Sequence, residues 1–284
     1  MKQISEALRP KERRIDFTPQ TFRKALMILE SFTMEQPEHT AKDLGYLFRL
    51  SQSSLYRYLS ILEEGGYLVK DQSTGCYTIG LHILELGGVA LSKMTYRRHG
   101  QPALDRISAE LNTNANMGVF YKGDLLHIGF AVWLTGEPNY SVIGRKTPIN
   151  ITAMGKVILS SLEFQDVKDI INRYGWRPRT KNSITNFKDL EKELQKIRGQ
   201  GYAVDNQECG DDCCLAFPVL DQRGFVVAAM SATTSVERFG KEFDLILKCV
   251  KKHAEEVTYR MGYNGLYPVI RVRNIEDTEW SAYQ

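Results

Sequence analysis

The sequence predicts an α+β protein with a small helical N-terminal domain and a larger C-terminal domain that contains a mixed, largely antiparallel sheet. Three observations support this prediction. Two short helical patterns meet across a tight turn in the first third of the chain, strand-like runs alternate with amphipathic helices in the remainder, and 284 residues exceed one small domain. We place a first domain at 1–79, a linker helix at 80–96, a second domain at 97–263 and a tail at 264–284.

An entry helix is predicted to begin at Pro19, because Thr18 is a capping residue and proline favours the first helical position. An apolar face at helical spacing follows, made of Phe22, Ala25, Leu26, Leu29 and Phe32. Basic residues cluster before and within this helix: Arg9, Lys11, Arg13, Arg14, Arg23 and Lys24. This cluster is suited to a phosphate backbone or a minor groove, and it is equally well explained as a solvated terminus.

Residues 40–62 have the pattern of a helix-turn-helix. Thr40 and Asp43 form a capping box that starts the first helix, whose buried side we expect to carry Leu44 and Leu47. Ser51 caps the second helix. Its apolar stripe consists of Leu55, Tyr58, Leu59 and Leu62.

The opposite side of the second helix is polar and suited to base edges and phosphates. We predict that it binds double-stranded DNA through Gln52, Ser53, Ser54, Tyr56, Arg57 and Ser60. Gly65-Gly66 then ends the helix, and the segments YLVKD, QSTG and CYTI predict a hairpin wing whose Lys70 meets a phosphate. An ordinary amphipathic helix pair is the alternative reading of the helices alone.

The linker and the second domain are predicted from local patterns. Residues 80–94 indicate a linker helix despite the Gly87-Gly88 pair. The helix has more apolar residues than one face can bury, namely Ile83, Leu84, Leu86, Val89 and Leu91. This excess favours contact with a second copy of the chain. A helix from about 98 and a hairpin turning at Lys122-Gly123-Asp124 come next. The remaining elements are a strand around 139–144, helices near 153, 163–173 and 186–199, strands at 213–220 and 225–233, and a helix at 240–261.

Composition excludes several classes of protein. No apolar run is long enough for a membrane span, and the first residues lack the apolar stretch of a signal peptide, so we expect a cytoplasmic protein with no membrane partner. The odd number of cysteines, five, then favours reduced thiols. A net charge of +3 does not by itself indicate DNA binding.

The order of these patterns resembles the IclR family of bacterial transcription regulators. In the first domain the resemblance rests on SQSSLYRYLSILEEGGYLVKD, and in the second on INITAMGKVILSS and on GYAVDNQECGDDCCLAFPVLDQRGFVVAAMSATT. It covers about residues 17–263. The resemblance implies a winged helix-turn-helix followed by a GAF-like effector-binding domain, a dimer or tetramer that binds an operator as repressor or activator, and a small, usually acidic or aromatic metabolite as effector.

The resemblance also implies an effector site formed by Ala153, Met154, Asp205, Cys214, Ser231 and Thr233. Physical chemistry is consistent with such a site, because amides at a helix start near 153–155 suit a carboxylate, and hydroxyls two residues apart on a strand face the same side. From these residues we expect a pocket with hydrogen-bond donors but few fixed positive charges, which favours a small carboxylate or sugar acid. The alternative reading is two ordinary strand hydroxyls and a small buried thiol.

The sequence departs from the family pattern at this site. Asn206-Gln207-Glu208 replaces the paired acids of the family, and the loop from Asp205 to Cys214 is one residue shorter. Met154 stands where a smaller residue is common, so we expect a narrower or reshaped pocket.

Other chemistries are weaker interpretations. Cys209, Cys213 and Cys214 suggest a thiol- or metal-responsive DNA-binding sensor, but adjacent cysteines without a histidine do not make a zinc pattern. A nucleophilic Cys214 would need His127 or His82 as its base, and nothing in the sequence pairs them. We find no phosphate loop, dinucleotide fingerprint or hydrolase elbow, and therefore predict no catalytic residue, no cofactor and no metal site.

Overall fold

The computed structural model describes residues 19–133 and 143–283. The chain forms two compact units that divide between Ala90 and Leu91. Thr18 and four residues of the basic cluster, Arg9, Lys11, Arg13 and Arg14, lie outside the described residues. The predicted strand at 139–144 also lies outside them for the most part, and its last two residues form a turn.

The first unit confirms the helix-turn-helix and the wing. Its elements are α1 (Pro19–Glu30), β1 (Glu38–Thr40), α2 (Ala41–Phe48), α3 (Gln52–Glu64), β2 (Leu68–Lys70) and β3 (Cys76–Ile79). The capping box of Thr40 and Asp43 is present, and Ser51 caps α3. The wing strands β2 and β3 pair in antiparallel fashion, and β1 adds a third strand on the other side of β3 that the sequence analysis did not predict. Helix α4 (Leu81–Ser92) follows.

The core of this unit corrects two predicted faces. Leu44 is fully buried as expected, whereas Leu47 is 55% exposed, because an eight-residue helix buries only a narrow stripe. In α1 the buried side chain is Ile28, and Phe22 and Leu26 are exposed. The stripe of α3 is confirmed, since Leu55, Leu59 and Leu62 are buried and Tyr58 packs beside them.

The second unit contains the predicted helices and strands with small shifts. Its elements are α5 (Thr95–Leu111), β4 (Asn114–Tyr121), β5 (Asp124–Ala131), β6 (Lys146–Pro148), α6 (Ala153–Ser160), α7 (Phe164–Tyr174), α8 (Phe187–Gln200), β7 (Ala203–Asn206), β8 (Cys213–Leu220), β9 (Val226–Thr234) and α9 (Val236–Arg260). Helix α9 begins earlier than predicted because Ser235 caps it, and its backbone departs from helical geometry at Glu242. The short strands β6 and β7 were not predicted.

A six-stranded sheet in the order β6-β5-β4-β9-β8-β7 organises this unit, and all its neighbouring strands are antiparallel. Side chains alternate between two cores. Leu215, Phe217 and Met230 belong to the core under α5 and α9, whereas Ala216 and Ala229 belong to the core shared with α6, α7 and α8. The sheet is therefore covered by helices on both faces.

The tail after α9 packs against the second unit. Trp280 is 1% exposed and joins the core on the α6 side together with Ile270 and Ile275. Tyr267 donates its hydroxyl hydrogen to the carbonyl of Pro218 at 2.7 Å. The tail therefore forms part of the second unit.

Candidate functional site

Helix α3 presents the predicted polar side. Gln52, Ser53, Tyr56, Arg57 and Ser60 are exposed, as the spacing of the buried leucines requires. Ser54 is half-buried and close to the helix start, where its amide donates to Ser51 Oγ at 3.4 Å. Ser60 Oγ donates to Glu64 Oε1 at 2.9 Å. The structure thus brings these six residues onto one helix, with five of them open to solvent.

The wing places Lys70 at the end of β2, opposite Tyr77 of β3. Its Nζ lies 5.7 Å from the centroid of the Tyr77 ring. The turn between the strands is held by Asp71, whose Oδ1 accepts from the amides of Ser73 at 2.7 Å and Thr74 at 3.3 Å. These bonds give the hairpin a defined tip.

A cavity of about 180 Å³ lies between the sheet and the start of α6. The structure brings together in its lining all the residues predicted for an effector site: Ala153, Met154, Asp205, Cys214, Ser231 and Thr233. They come from β7, β8, β9 and α6, which are well separated along the chain. The cavity is smaller than the roughly 300–1,000 Å³ of pockets for drug-sized ligands.

Strand register explains how the polar side chains converge. Asp205 pairs with Cys214 and Cys214 with Thr233, so these residues form a row across β7, β8 and β9. Ser231 is two residues from Thr233 and is paired with Asn116 of β4. Residues paired directly across strands point to the same face, and Cys214 Sγ lies 3.2 Å from Thr233 Oγ1. The sheet therefore gives the cavity a polar floor.

The start of α6 forms another wall. Thr152 caps the helix, and its Oγ1 accepts the Gly155 amide at 3.0 Å. The expectation that the amides at 153–155 are free to bind a ligand is therefore wrong for Gly155. The first amides of a helix have no acceptor within that helix, and in α6 these are the amides of Ala153 and Met154. A side chain at Gly155 would clash, because a Cβ there would lie 2.0 Å from the carbonyl oxygen of Ile149.

Two arginines, Arg145 and Arg179, also line the cavity. The expectation of few fixed positive charges is therefore wrong. Both residues lie in segments outside the helices and strands, so no local periodicity indicated where they fold. Arg179 Nη1 donates to Cys209 Sγ at 3.5 Å.

Asn116 and His127 also line the cavity, and neither was predicted as an effector-site residue. Burial, assisted by the charge of Arg145, lowers the pKa of His127 to about 4, so the ring is neutral near pH 7. His127 Nε2 lies 3.3 Å from Thr147 Oγ1. Within the described residues, His127 Nδ1 and Asn116 Oδ1 are buried polar atoms with no hydrogen-bond partner. Such atoms are costly, and in a cavity wall they favour a polar ligand.

The loop after β7 encloses the cavity from one side. Burial raises the pKa of Asp205 to about 6, and its Oδ1 accepts the amides of Glu208 at 2.7 Å and Cys209 at 3.4 Å. Asp205 thus organises this loop, while Asp211 and Asp212 bring further acidic groups to the lining. The cavity combines both signs of charge.

Glu208, at a position that departs from the family pattern, points to a buried lysine. Lys156 of α6 is 1% exposed and its ammonium contacts Glu208 Oε1, Glu193 Oε1 at 3.2 Å and the Val204 carbonyl at 2.7 Å. Burial raises the pKa of Glu208 to about 7 against the opposing effect of Lys156. This cluster ties the loop to α6 and α8.

The cysteines of this region are poorly suited to a thiol sensor. Burial raises the pKa of Cys209, Cys213 and Cys214, so each keeps its thiol proton near neutral pH. Cys213 Sγ donates to Asn206 Oδ1 at 3.3 Å. The described residues place no metal-binding group at these cysteines, and the thiol or metal alternative gains no support.

A winged helix-turn-helix in one unit and a polar cavity in the other are the parts expected of a ligand-responsive DNA-binding transcription regulator. Comparison with known proteins specifies the family. Residues 88–259 match the family model for the C-terminal domain of the bacterial transcriptional regulator IclR, and residues 21–72 match the IclR helix-turn-helix domain. The chain belongs to the IclR family.

Curated relatives and solved structures agree with this assignment. The chain is 28% identical over 236 residues to the HTH-type transcriptional regulator KdgR of Escherichia coli (strain K12), covering 82% of this chain and 89% of that protein. It is 27% identical over 220 residues to the regulator XynR of the same organism, covering 77% of this chain and 87% of XynR. The Thermotoga maritima IclR structure has a TM-score of 0.71 and 27% identity, covering 87% of this chain and 100% of that one.

Proposed function

We propose that the protein is a sequence-specific regulator whose operator affinity is controlled by a small hydroxylated carboxylate, such as a sugar acid, bound in the cavity. One observation carries this proposal. Arg145 and Arg179 line the same small cavity as the hydroxyls of Ser231 and Thr233 and the buried, unpartnered Asn116 Oδ1. Charge complementarity favours a carboxylate near the guanidiniums, and the remaining polar atoms favour hydroxyl groups on the ligand.

The acidic residues of the lining favour a ligand with a single carboxylate. Asp205, Asp211 and Asp212 accept hydrogen bonds but repel a second negative charge. A ligand with a single carboxylate and several hydroxyls satisfies both sets of groups, because hydroxyls donate as well as accept. A dicarboxylate would leave at least one charge close to the aspartates.

An aromatic acid is the competing ligand class. An IclR homologue from Microbacterium hydrocarbonoxydans was crystallised with 4-hydroxybenzoate, and that structure has a TM-score of 0.74 at 17% identity. A benzoate ring placed here would cover Asn116, Ser231 and Thr233 without satisfying their polar atoms, which disfavours it. The polar floor therefore supports the hydroxylated acid.

The remaining parts of the proposal follow the domain order. Double-stranded operator DNA binds to α3 through Gln52, Ser53, Ser54, Tyr56, Arg57 and Ser60, and to the wing through Lys70. The protein acts in the cytoplasm as a dimer or tetramer. We retain 1–79, 80–96, 97–263 and 264–284 as DNA-binding domain, linker, effector domain and tail. Among the described residues no helix is long and apolar enough to cross a membrane.

The test removes the hydroxyls of the cavity floor. In the double variant Ser231→Ala, Thr233→Val we expect effector-free operator binding to be unchanged and the effector response to be lost, because a ligand shifts affinity only through contacts that differ between states. Fluorescence anisotropy with labelled operator and a panel of sugar acids and substituted benzoates measures both. Thr234→Val, on the opposite face of β9, is the matched control.

A double variant that responds with wild-type sensitivity would show that the effector binds elsewhere. A response of the wild type to benzoates alone would replace the hydroxylated acid with the aromatic class.

A further inference from the structure

A second group of metal-ligating side chains lies between α5 and α9, apart from the cavity. Glu110 comes from the last turn of α5, and Cys249 and His253 lie one turn apart on α9. One ligand atom from each residue lies within 4.8 Å of the others. Cys249 and His253 are buried and Glu110 is partly exposed, so the group is open to solvent on one side only.

The ligand atoms lie close to the separations of a tetrahedral site. Cys249 Sγ lies 3.6 Å from Glu110 Oε2, and His253 Nε2 lies 2.9 Å from Glu110 Oε1. Zinc bonds of about 2.0–2.3 Å to nitrogen, oxygen and sulfur place neighbouring tetrahedral ligands roughly 3.3–3.8 Å apart. All three ligand atoms lie within 4.8 Å of one another, so they need to move by about 1 Å or less to reach these separations. The i,i+4 spacing on a helix places two of the three ligands on one face.

We propose that Glu110, Cys249 and His253 form a zinc-type metal site that clamps α5 to α9. Water fills the fourth position, on the side where Glu110 reaches solvent. Thiolate, imidazole and carboxylate together favour Zn²⁺ or Co²⁺ over the oxygen-seeking Mg²⁺ and Ca²⁺. This group shares no residue with Cys209, Cys213 or Cys214 and is independent of the effector cavity.

The residues around His253 are arranged for this role. Glu256 Oε2 lies 3.8 Å from His253 Nδ1, where it can accept the Nδ1 proton once Nε2 binds a metal, as carboxylates commonly do behind zinc-bound histidines. In the structure Arg106 Nε lies 3.4 Å from the same Nδ1. Arg106 loses this contact when Nδ1 carries the proton, but its Nη2 donates to Glu256 Oε2 at 2.8 Å and can keep that bond.

Charge and protons also balance. Lys252 Nζ contacts Glu110 Oε1 at 3.1 Å, and its side chain is 64% exposed, so it can swing into solvent when a cation arrives. Burial beside Glu110 raises the pKa of the Cys249 thiol to about 12, so this thiol loses its proton to solvent only when the cation binds its sulfur. The imidazole of His253 keeps one proton by moving it from Nε2 to Nδ1. Thiolate and carboxylate together then neutralise a divalent ion.

Cobalt titration of the reduced, chelator-treated full chain tests the site. We expect one Co²⁺ per chain, with the thiolate-to-cobalt band in the near ultraviolet and the visible bands of tetrahedral cobalt, both abolished by excess Zn²⁺. Cys249→Ser should lose the thiolate band, and Glu110→Gln should weaken cobalt binding at least tenfold. Zn²⁺ should raise the melting temperature of the wild type and not of Cys249→Ser.

Controls separate this site from other thiols and from misfolding. Cys76→Ser, in the wing, and Cys214→Ser, in the cavity, should bind cobalt as the wild type does. Glu110→Gln changes a partly exposed residue, so the circular dichroism of this variant should match that of the wild type. It therefore tests the site even if Cys249→Ser, at a buried position, disturbs folding. A wild type without the thiolate band, or a band that persists in Cys249→Ser, would overturn the proposal.

Discussion

At the residue scale, the protein uses positive charge in two different settings. Arg57 carries an exposed guanidinium on α3 and is suited to a guanine edge or a phosphate. Lys156 is buried among carboxylates and a carbonyl, where it neutralises the loop that encloses the cavity. Removing the first should affect binding, and removing the second should affect folding.

We predict that Arg57→Ala weakens operator binding by about 1–3 kcal/mol without changing the far-ultraviolet spectrum, because one base or phosphate contact is lost from a solvated surface. Arg57→Lys keeps the charge but not the bidentate fork, so it should recover binding only if the contact is to phosphate. Salt-dependent anisotropy titrations measure these effects, with Arg173→Ala on the surface of α7 as control. Wild-type affinity in Arg57→Ala would refute the assignment.

We predict that Lys156→Met lowers the free energy of unfolding by roughly 3–5 kcal/mol, because buried carboxylates lose their counter-charge. Glu208, whose pKa is already raised to about 7, would titrate still higher in the variant. A carboxyl with a raised folded-state pKa stabilises the fold at low pH and loses that contribution as the pH rises through the folded pKa. The deficit should therefore be larger at about pH 8 than at about pH 5.5.

Urea unfolding at both pH values measures this deficit. Lys192→Met, an exposed lysine of α8, should be close to wild type at each pH. A deficit that is equal at the two pH values would show that the loss comes from packing and not from charge.

At the element scale, capping determines where the short helices begin. Helix α2 has only eight residues, so its stability depends on packing and on its ends. Thr40 Oγ1 accepts the Asp43 amide at 3.2 Å and Asp43 Oδ2 accepts the Thr40 amide at 3.0 Å. Helix α4 is the opposite case: none of its residues, all of them described, is buried, although most are apolar.

We expect Thr40→Ala to destabilise α2 by about 1 kcal/mol, since it removes the acceptor for a helix-terminal amide. Hydrogen exchange of the α2 amides in the full chain reports this locally, as faster exchange confined to the first unit. Lys42→Ala, an exposed change in the first turn of the same helix, should leave exchange nearly unchanged. Equal exchange in both variants would mean that packing alone holds the helix.

At the scale of the whole molecule, the exposed apolar surface of α4 indicates an interface with a partner. Leu81 is 80% exposed, Leu84 70% and Val89 59%, and exposed apolar side chains concentrated on one helix indicate an interaction site. A single recognition helix reads few base pairs, and symmetric dimers supply a second half-site. Self-association through α4 would both bury the apolar surface of this helix and supply the second recognition helix.

We predict that the wild type is a dimer or tetramer at micromolar concentration and that Leu84→Glu shifts it towards monomer, because a charge would be buried in the apolar contact. Operator affinity should fall in parallel. Light scattering with and without DNA measures the mass, and Leu266→Glu, at a leucine of the tail that is more exposed than Leu84, is the control. A monomeric wild type under both conditions would contradict the prediction.

The sequence by itself determined the elements whose cause is local. Capping residues, the spacing of Leu55, Leu59 and Leu62, and the turn at Lys122-Gly123 act between near neighbours, and they predicted the helix-turn-helix, the wing and the main strands. Family resemblance added the six residues that the structure gathers around one cavity. Short strands such as β1 escaped prediction because three residues carry too little periodicity.

Only the tertiary structure decided which charges meet. Arg145, Arg179 and His127 reach the cavity from different segments of the chain, and Lys156 contacts Glu208 across 52 positions. The exposed Leu47 and the buried Ile28 likewise depend on which neighbour covers a helix. Local sequence patterns cannot predict such contacts, because these contacts arise from packing between distant segments. Burial in that packing then shifts the pKa of each titratable group and so determines its protonation state.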